Sequence, residues 1–369
     1  MLISGLAVGA ALGFVMQRGR FCVTGAFRDL WISRNTRWFT AFMVVVAIQS
    51  VGVFALDAFG VISLRTPDFA WLATIVGAFV FGFAIVLAGG CATGTFYRSG
   101  EGLVGSWMAL AMYMLVAAVA KYGPLGASTK AFRSVTVPVG TVYESLGVSP
   151  WVLVLVLVAG VGLAVRHHLT RPKRFVAILP PERTGVAHVL FEKRWHPFAT
   201  AAVIGVIAIA AWPLSWATGR QSGLGITTPS ANAVTWLTTG DVDLVDWGVL
   251  LIAGLLVGSF IAAKASGEFK LRVPDARTAV RSVAGGALMG IGASWAGGCT
   301  IGNAMVNTAI FGYQGWVSLI FMILGTGVAT KVFITGRRGT SVGRSTGKSA
   351  GASAGTSVGT TTPAGVVPA

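Results

Sequence analysis

The sequence predicts an all-α integral membrane protein of about nine transmembrane helices with short re-entrant helices, an inverted-topology repeat and an hourglass-like shape. Three observations carry this. Of 369 residues, 54% are hydrophobic and 11% charged, with a mean hydropathy of +0.76, whereas a soluble chain carries about a quarter charged residues. The apolar residues form continuous runs long enough to cross a hydrocarbon core of roughly 30 Å as helices, without the alternation of barrel strands. One phrase also occurs twice, as Ala88-Gly89-Gly90-Cys91-Ala92-Thr93-Gly94 and as Ala296-Gly297-Gly298-Cys299-Thr300-Ile301-Gly302, 208 positions apart (299 − 91).

In chain order the runs lie at about 2–17, 38–59, 69–90, 103–122, 150–168, 197–217, 247–265, 279–298 and 315–334. The first has neither a basic leader nor a small-residue cleavage site, so it reads as a retained span rather than a signal peptide. Stretches 18–37, 91–102, 219–246 and 299–314 each follow a span, are rich in Gly, Thr and Ser, and are too polar to cross. Exposed backbone at membrane depth is tolerated only where protein or a cavity surrounds it. These stretches are therefore expected to turn back as re-entrant segments with short helices, the first pair from the cytoplasm and the second from outside. Two vestibules with a thin barrier between them follow.

Spans one to four match spans six to nine, with span five as connector, and this odd connector inverts the second copy. The expected organisation is a first membrane repeat over 1–149, a connecting span and basic cytoplasmic linker over 150–196, a second repeat over 197–335 and a disordered cytoplasmic tail over 336–369. The tail is Gly, Ser, Thr and Ala with scattered Arg and Lys, a composition that cannot offset the entropy of ordering.

The formal charge of +16 invites a nucleic-acid reading. Its distribution argues for topology instead. With the N-terminus outside and the C-terminus cytoplasmic, every Lys and Arg except Arg65, Lys121, Lys130, Arg133 and Arg220 falls on the cytoplasmic side, as the positive-inside rule requires. No nucleic-acid partner is needed; the lipid bilayer is the first partner.

The chain has three cysteines, and the repeated phrase holds two of them. An isolated cysteine reads as a small buried hydrophobe, but Cys91 and Cys299 occupy equivalent repeat positions and Cys22 lies in the remaining re-entrant stretch of the first half. A disulfide is a poor account, because Cys22 and Cys91 approach from the reducing face and Cys299 from the other. Metal binding is also weak: no Cys-x-x-Cys pair occurs, and His167, His168, His188 and His196 lie in the polar linker. No cofactor is indicated, no base neighbours a cysteine, and no phosphate-binding loop for ATP is present, so the chain is not expected to be an enzyme.

A transport path remains. Gly90 and Gly298, beside the thiols, expose backbone N–H groups, and the following short helices point positive N-termini inward. A protonated thiol adds a weak donor and a polarisable surface without repelling an anion. Such contacts suit an anion that carries sulfur. Two readings stand for Arg20 and Arg220: drawing the anion toward opposite mouths, or ordinary juxtamembrane anchoring.

At Gly19-Arg20-Phe21-Cys22, Gly89-Gly90-Cys91-Ala92-Thr93-Gly94 and Gly297-Gly298-Cys299-Thr300-Ile301-Gly302 the chain resembles the YeeE/YedE family of membrane proteins linked to sulfur import, over about residues 1–335. The resemblance implies uptake of thiosulfate into the bacterial cytoplasm across the inner membrane, through an hourglass with a positive outer hollow. It also implies that Cys22, Cys91 and Cys299 hand the anion inward through S–H···S contacts, and that a small cytoplasmic sulfur carrier of the TusA type is a partner. One departure stands out: the second-half counterpart of Cys22 is Ile226, so the thiol path is asymmetric. Alternatives are a permease for a selenium compound or another sulfur anion, and a membrane sulfurtransferase with a cysteine persulfide.

Overall fold

The computed structural model describes residues 2–64, 66, 68–170, 184–193 and 195–335. The expected tail over 336–369 and the linker residues 171–183 lie outside these. The described residues are almost wholly helical, with three isolated β-bridges and no named strand. In the first half the helices are α1 (Ile3–Arg18), α2 (Val23–Ile32), α3 (Arg37–Ala58), α4 (Trp71–Leu87), α5 (Ala92–Gly100), α6 (Val104–Lys121), α7 (Gly126–Arg133) and α8 (Val142–Leu146). The connecting helix α9 (Pro150–Thr170) is followed by the single turn α10 (Gly185–Ala187). The second half holds α11 (Pro197–Trp216), α12 (Thr227–Thr239), α13 (Trp247–Ala265), α14 (Ala276–Ala296), a π-helix at Thr300–Asn307 and α15 (Tyr313–Thr330).

Eight helical stretches are long and apolar enough to cross a membrane, which makes this a multi-pass membrane protein. A long helix forms at each of the nine expected places. The one outside the eight is α14, which carries Arg277 and Arg281 in its first turns and is rich in Gly, Ala and Ser. Short helices form in all four expected re-entrant stretches: α2, α5, α12 and the π-helix.

Small residues bring the helices together, as expected where lipid removes the hydrophobic drive for association. On α1, Gly5, Gly9 and Gly13 face the carbonyls of Trp247, Leu251 and Leu255. In return, Gly254 and Gly258 of α13 face the carbonyls of Leu6 and Ala10. Contact positions advance together along both chains, so α1 and α13 are parallel. The same holds for α3 and α11, where Gly205 meets Ile48 and Gly52 meets Ile209.

The partnerships come in exchanged pairs. Helix α1 packs on α13 and α11 on α3; α4 packs on α15 and α14 on α6; α2 packs on α15 and α12 on α6. Helices α4 and α14 run antiparallel against each other, Gly77 abutting Ala296 while Gly285 abuts Ala88. Helix α9 stands apart: it packs on α3 and leaves Leu155, Val156 and Leu163 exposed. The core fills the space between the halves with Phe27, Phe42, Phe81, Phe96, Met289 and Met322, together with Cys91 and Cys299.

Candidate functional site

Each cysteine stands at the N-cap of a short helix, Cys22 before α2, Cys91 before α5 and Cys299 before the π-helix. This follows locally from a turn that breaks the preceding long helix. In the repeated phrase the first glycine makes that turn, Gly89 at φ +73° and Gly297 at φ +77°, a conformation that costs little only without a Cβ. The thiols of Cys22 and Cys91 each accept the backbone N–H three residues on, from Gly25 and Gly94 at 3.4 Å. Cys299 makes no such bond. All three cysteines are free, and no hydrogen bond among the described residues joins one thiol to another.

Cavities approach the cysteines from the two ends of the parallel pair α1/α13. Helix α13 has 19 residues, about 28 Å of helix at 1.5 Å each. At its N-terminal end Arg220 lies against Gly248. There a cavity of about 430 Å³, lined by Lys121, Lys130, Arg133 and Thr129, shares Thr227, Thr228 and Gly297 with one of about 170 Å³. The smaller cavity is walled by Arg220, Ile226, Gly298, Cys299 and Asn307. At the opposite end a cavity of about 550 Å³, lined by Arg18, Glu192, Trp195 and Glu268, shares Arg20 and Trp38 with one of about 240 Å³. That inner recess holds Cys22, Thr24, Arg28, Gly89 and Arg98. Cys91 lines none of these cavities and is fully buried.

Cys299, Gly298 and Arg220 are thus brought together at one end, and Cys22 and Arg20 at the other. Gly90 is buried behind Cys91, and it is Gly89 that reaches a cavity. Arg220 has its guanidinium carbon 5.8 Å from the Trp247 ring centroid, while its Nη1 is buried without a hydrogen-bond partner. Burial pushes this guanidinium below its ordinary range, against the opposing pull of Asp246. Two nearby hydroxyls are likewise unpartnered: Thr24 and Thr93 are buried with no hydrogen bond. Buried donors normally find partners, and of these Thr24 lines the recess that holds Cys22.

Two residues absent from the sequence-based site set shape it. Arg98 donates through Nη1 to the Gly89 carbonyl and through Nη2 to the Cys22 sulfur at 3.5 Å. It therefore ties the Cys91 turn to Cys22. At the equivalent turn Asn303 takes over: its Nδ2 donates to the carbonyls of Ala296 at 2.8 Å and Gly298 at 3.3 Å. Asn307 and Gln314 each donate to its Oδ1 at 2.9 Å. Arg133 adds a bond from Nη1 to the Trp295 carbonyl at 2.9 Å. Polarity inside an apolar segment was the available signal for Asn303; the bond from Arg98 spans 76 positions and leaves no local trace.

Known proteins share this layout's sequence. A protein named thiosulfate transporter TsuA from Escherichia coli K12 is 53% identical over 330 residues, 89% of this chain and 94% of that one. A protein of the same name from Spirochaeta thermophila is 33% identical over 340 residues, 88% and 97% of the two chains. A probable transporter YedE from E. coli is 39% identical over 107 residues, 28% of this chain and 26% of that one. A family model described as sulphur transport matches residues 18–328, enclosing all three cysteine motifs, and the chain belongs to that family.

Proposed function

We propose that the protein takes up thiosulfate through a narrow pore on which the two pairs of cavities converge. The observation that supports this reading is that Cys299 and Cys22 line cavities at opposite ends of the α1/α13 pair, while Cys91 is fully buried. The relatives named as thiosulfate transporters supply the cargo.

The Arg220 end faces outward and the Arg20 end the cytoplasm of a bacterium, with the inner membrane as the barrier. Lys121, Lys130 and Arg133 gather the dianion in the outer hollow, since a charged cleft raises local counter-ion concentration. Arg220 then pairs with its oxygens while the Cys299 thiol meets the sulfane sulfur. Cys91 and Cys22 follow as donors. Their sulfurs already accept a backbone N–H, which leaves the S–H free to point at cargo. Because each thiol gives one soft bond, no station holds the anion tightly, as conduction through successive sites requires. The exchanged helix partnerships support an inverted repeat over 1–149 and 197–335 as the frame that aligns these stations.

Uptake of labelled thiosulfate into proteoliposomes, with Cys22, Cys91 and Cys299 changed singly to alanine, tests the reading. Each variant is expected to lose most uptake while remaining folded. Undiminished uptake by all three rules out the relay; no uptake by the unaltered protein rules out the cargo.

A further inference from the structure

Arg20 stands where the two cavities of its end meet, and two carboxylates hold it there. Its backbone is left-handed, at φ +50°, a conformation that costs energy in a residue with a side chain. Its Nη2 lies 2.9 Å from Glu268 Oε2 and its Nη1 3.7 Å from Glu101 Oε1. Glu268 also lies 3.6 Å from Arg18 Nη1 and accepts from Gln17 Nε2 at 2.7 Å. The Glu101 side chain is only 7% exposed, and its Oε1 has no hydrogen-bond partner. An anion leaving Cys22 therefore reaches a guanidinium already engaged by two negative groups, neither of which the transport path itself requires.

A free arginine at that junction would be a trap. Guanidinium binds oxyanions through paired, charge-assisted bonds, and a carrier must release what it binds. We propose that Glu101 and Glu268 are release residues: they compete with the departing dianion for Arg20, so that cargo passes the junction without remaining on it. Glu268, 34% exposed, meets Arg20, Arg18 and Gln17 through the one oxygen Oε2, so an anion arriving on Arg20 competes with it directly. Glu101, buried, keeps a second negative charge beside Arg20 if cargo displaces Glu268. Like charge near a bound dianion weakens its hold and hastens its exit.

This inference rests on the thiosulfate reading, and the test separates the two. Uptake of labelled thiosulfate is measured in proteoliposomes for the unaltered chain, Glu268→Gln, Glu101→Gln, the double variant and Glu268→Asp, alongside equilibrium binding of thiosulfate to the detergent-solubilised proteins. The neutral variants are expected to bind thiosulfate more tightly, with KM and maximal rate falling together, KM by about fivefold for one exposed charge pair. Glu268→Asp, which keeps the charge, should restore both. A purely structural role would lower the maximal rate and leave KM and binding unchanged or weaker. That result, with the unaltered protein transporting normally, overturns the inference. Absence of both uptake and binding by the unaltered protein would sink the thiosulfate reading, and this inference with it.

Discussion

Replacing Arg220 with methionine should weaken transport and at the same time leave the protein as stable or more so. The guanidinium sits in the Cys299 cavity with Nη1 buried and unpartnered. A buried donor without a partner costs about 1–3 kcal/mol. Its contact with the Trp247 ring, 5.8 Å from the centroid, returns about 0.5–1 kcal/mol. Methionine keeps much of the apolar stem and removes the donor, so unfolding free energy should change by between about zero and +2 kcal/mol. Bound anion gives Arg220 the missing partner through a charge-assisted bond of about 1.5–3 kcal/mol, equivalent to about a tenfold to hundredfold rise in KM for Arg220→Met. Thermal unfolding in detergent and uptake kinetics in proteoliposomes measure the two sides. Thiosulfate should also raise the melting temperature of the unaltered protein more than that of the variant. A melting temperature several degrees lower, with KM unchanged, would refute the reasoning, since Arg220 would then be a structural residue and no anion site.

Two further outcomes follow from the packing and the charges. Gly9→Leu drives a side chain into the Leu251 carbonyl of α13 and should destabilise by about 1–3 kcal/mol, read as a lower melting temperature; Gly160→Leu on α9, where nothing stands within 4 Å, should leave it unchanged. Glu101→Gln and Glu268→Gln should shift stability in opposite directions at neutral pH. Burial raises Glu101 above the usual carboxylate range despite Arg20 and Arg98, with Glu268 adding to the rise. Partial burial of Glu268 is outweighed by Arg20, Gln17 and Arg18, which hold it below that range. Ionised Glu101 therefore opposes folding, and its replacement stabilises at neutral pH; the gain disappears as pH falls through the Glu101 pKa and the native carboxyl protonates. Ionised Glu268 favours folding, so its replacement destabilises, and that loss fades as pH falls through the depressed Glu268 pKa. Melting temperatures of both variants across a pH series check the two signs.

The sequence made the helices legible because apolar runs are long and local, and a span's position depends on little else. Helix α14 shows the limit: Arg277, Arg281 and its glycines make it too polar by composition, and it is held by close packing on α4 and α6. The cysteine motifs were legible through repetition, and each cysteine does stand where a short helix begins. Side-chain reach was not legible. Arg98 touches the Cys22 sulfur from 76 positions away. Gly90 looked equivalent to Gly298, but only the latter lines a cavity, because the two turns are clamped by different residues.

That difference in clamping bears on direction. A symmetric frame alone would give an anion equal footing at both ends of the waist. At the Arg220 end the turn before Cys299 is fixed by the neutral amide of Asn303 and by Arg133, which donates to the Trp295 carbonyl, and Ile226 caps α12 as Cys22 caps α2. At the Arg20 end the turn before Cys91 is fixed by the charged Arg98, which also reaches Cys22. The cavities at the Arg220 end carry Lys121, Lys130, Arg133 and Arg220 with no carboxylate among their lining, whereas those at the Arg20 end set Arg18, Arg20, Arg28 and Arg98 against Asp29, Glu192 and Glu268, so net positive charge falls from the first end to the second. Left unopposed, Arg98 on the Cys22 sulfur and Arg20 in the same recess would hold an anion there. The carboxylates of Glu101 and Glu268 lie one step beyond, where the attraction must end if the cargo is to leave.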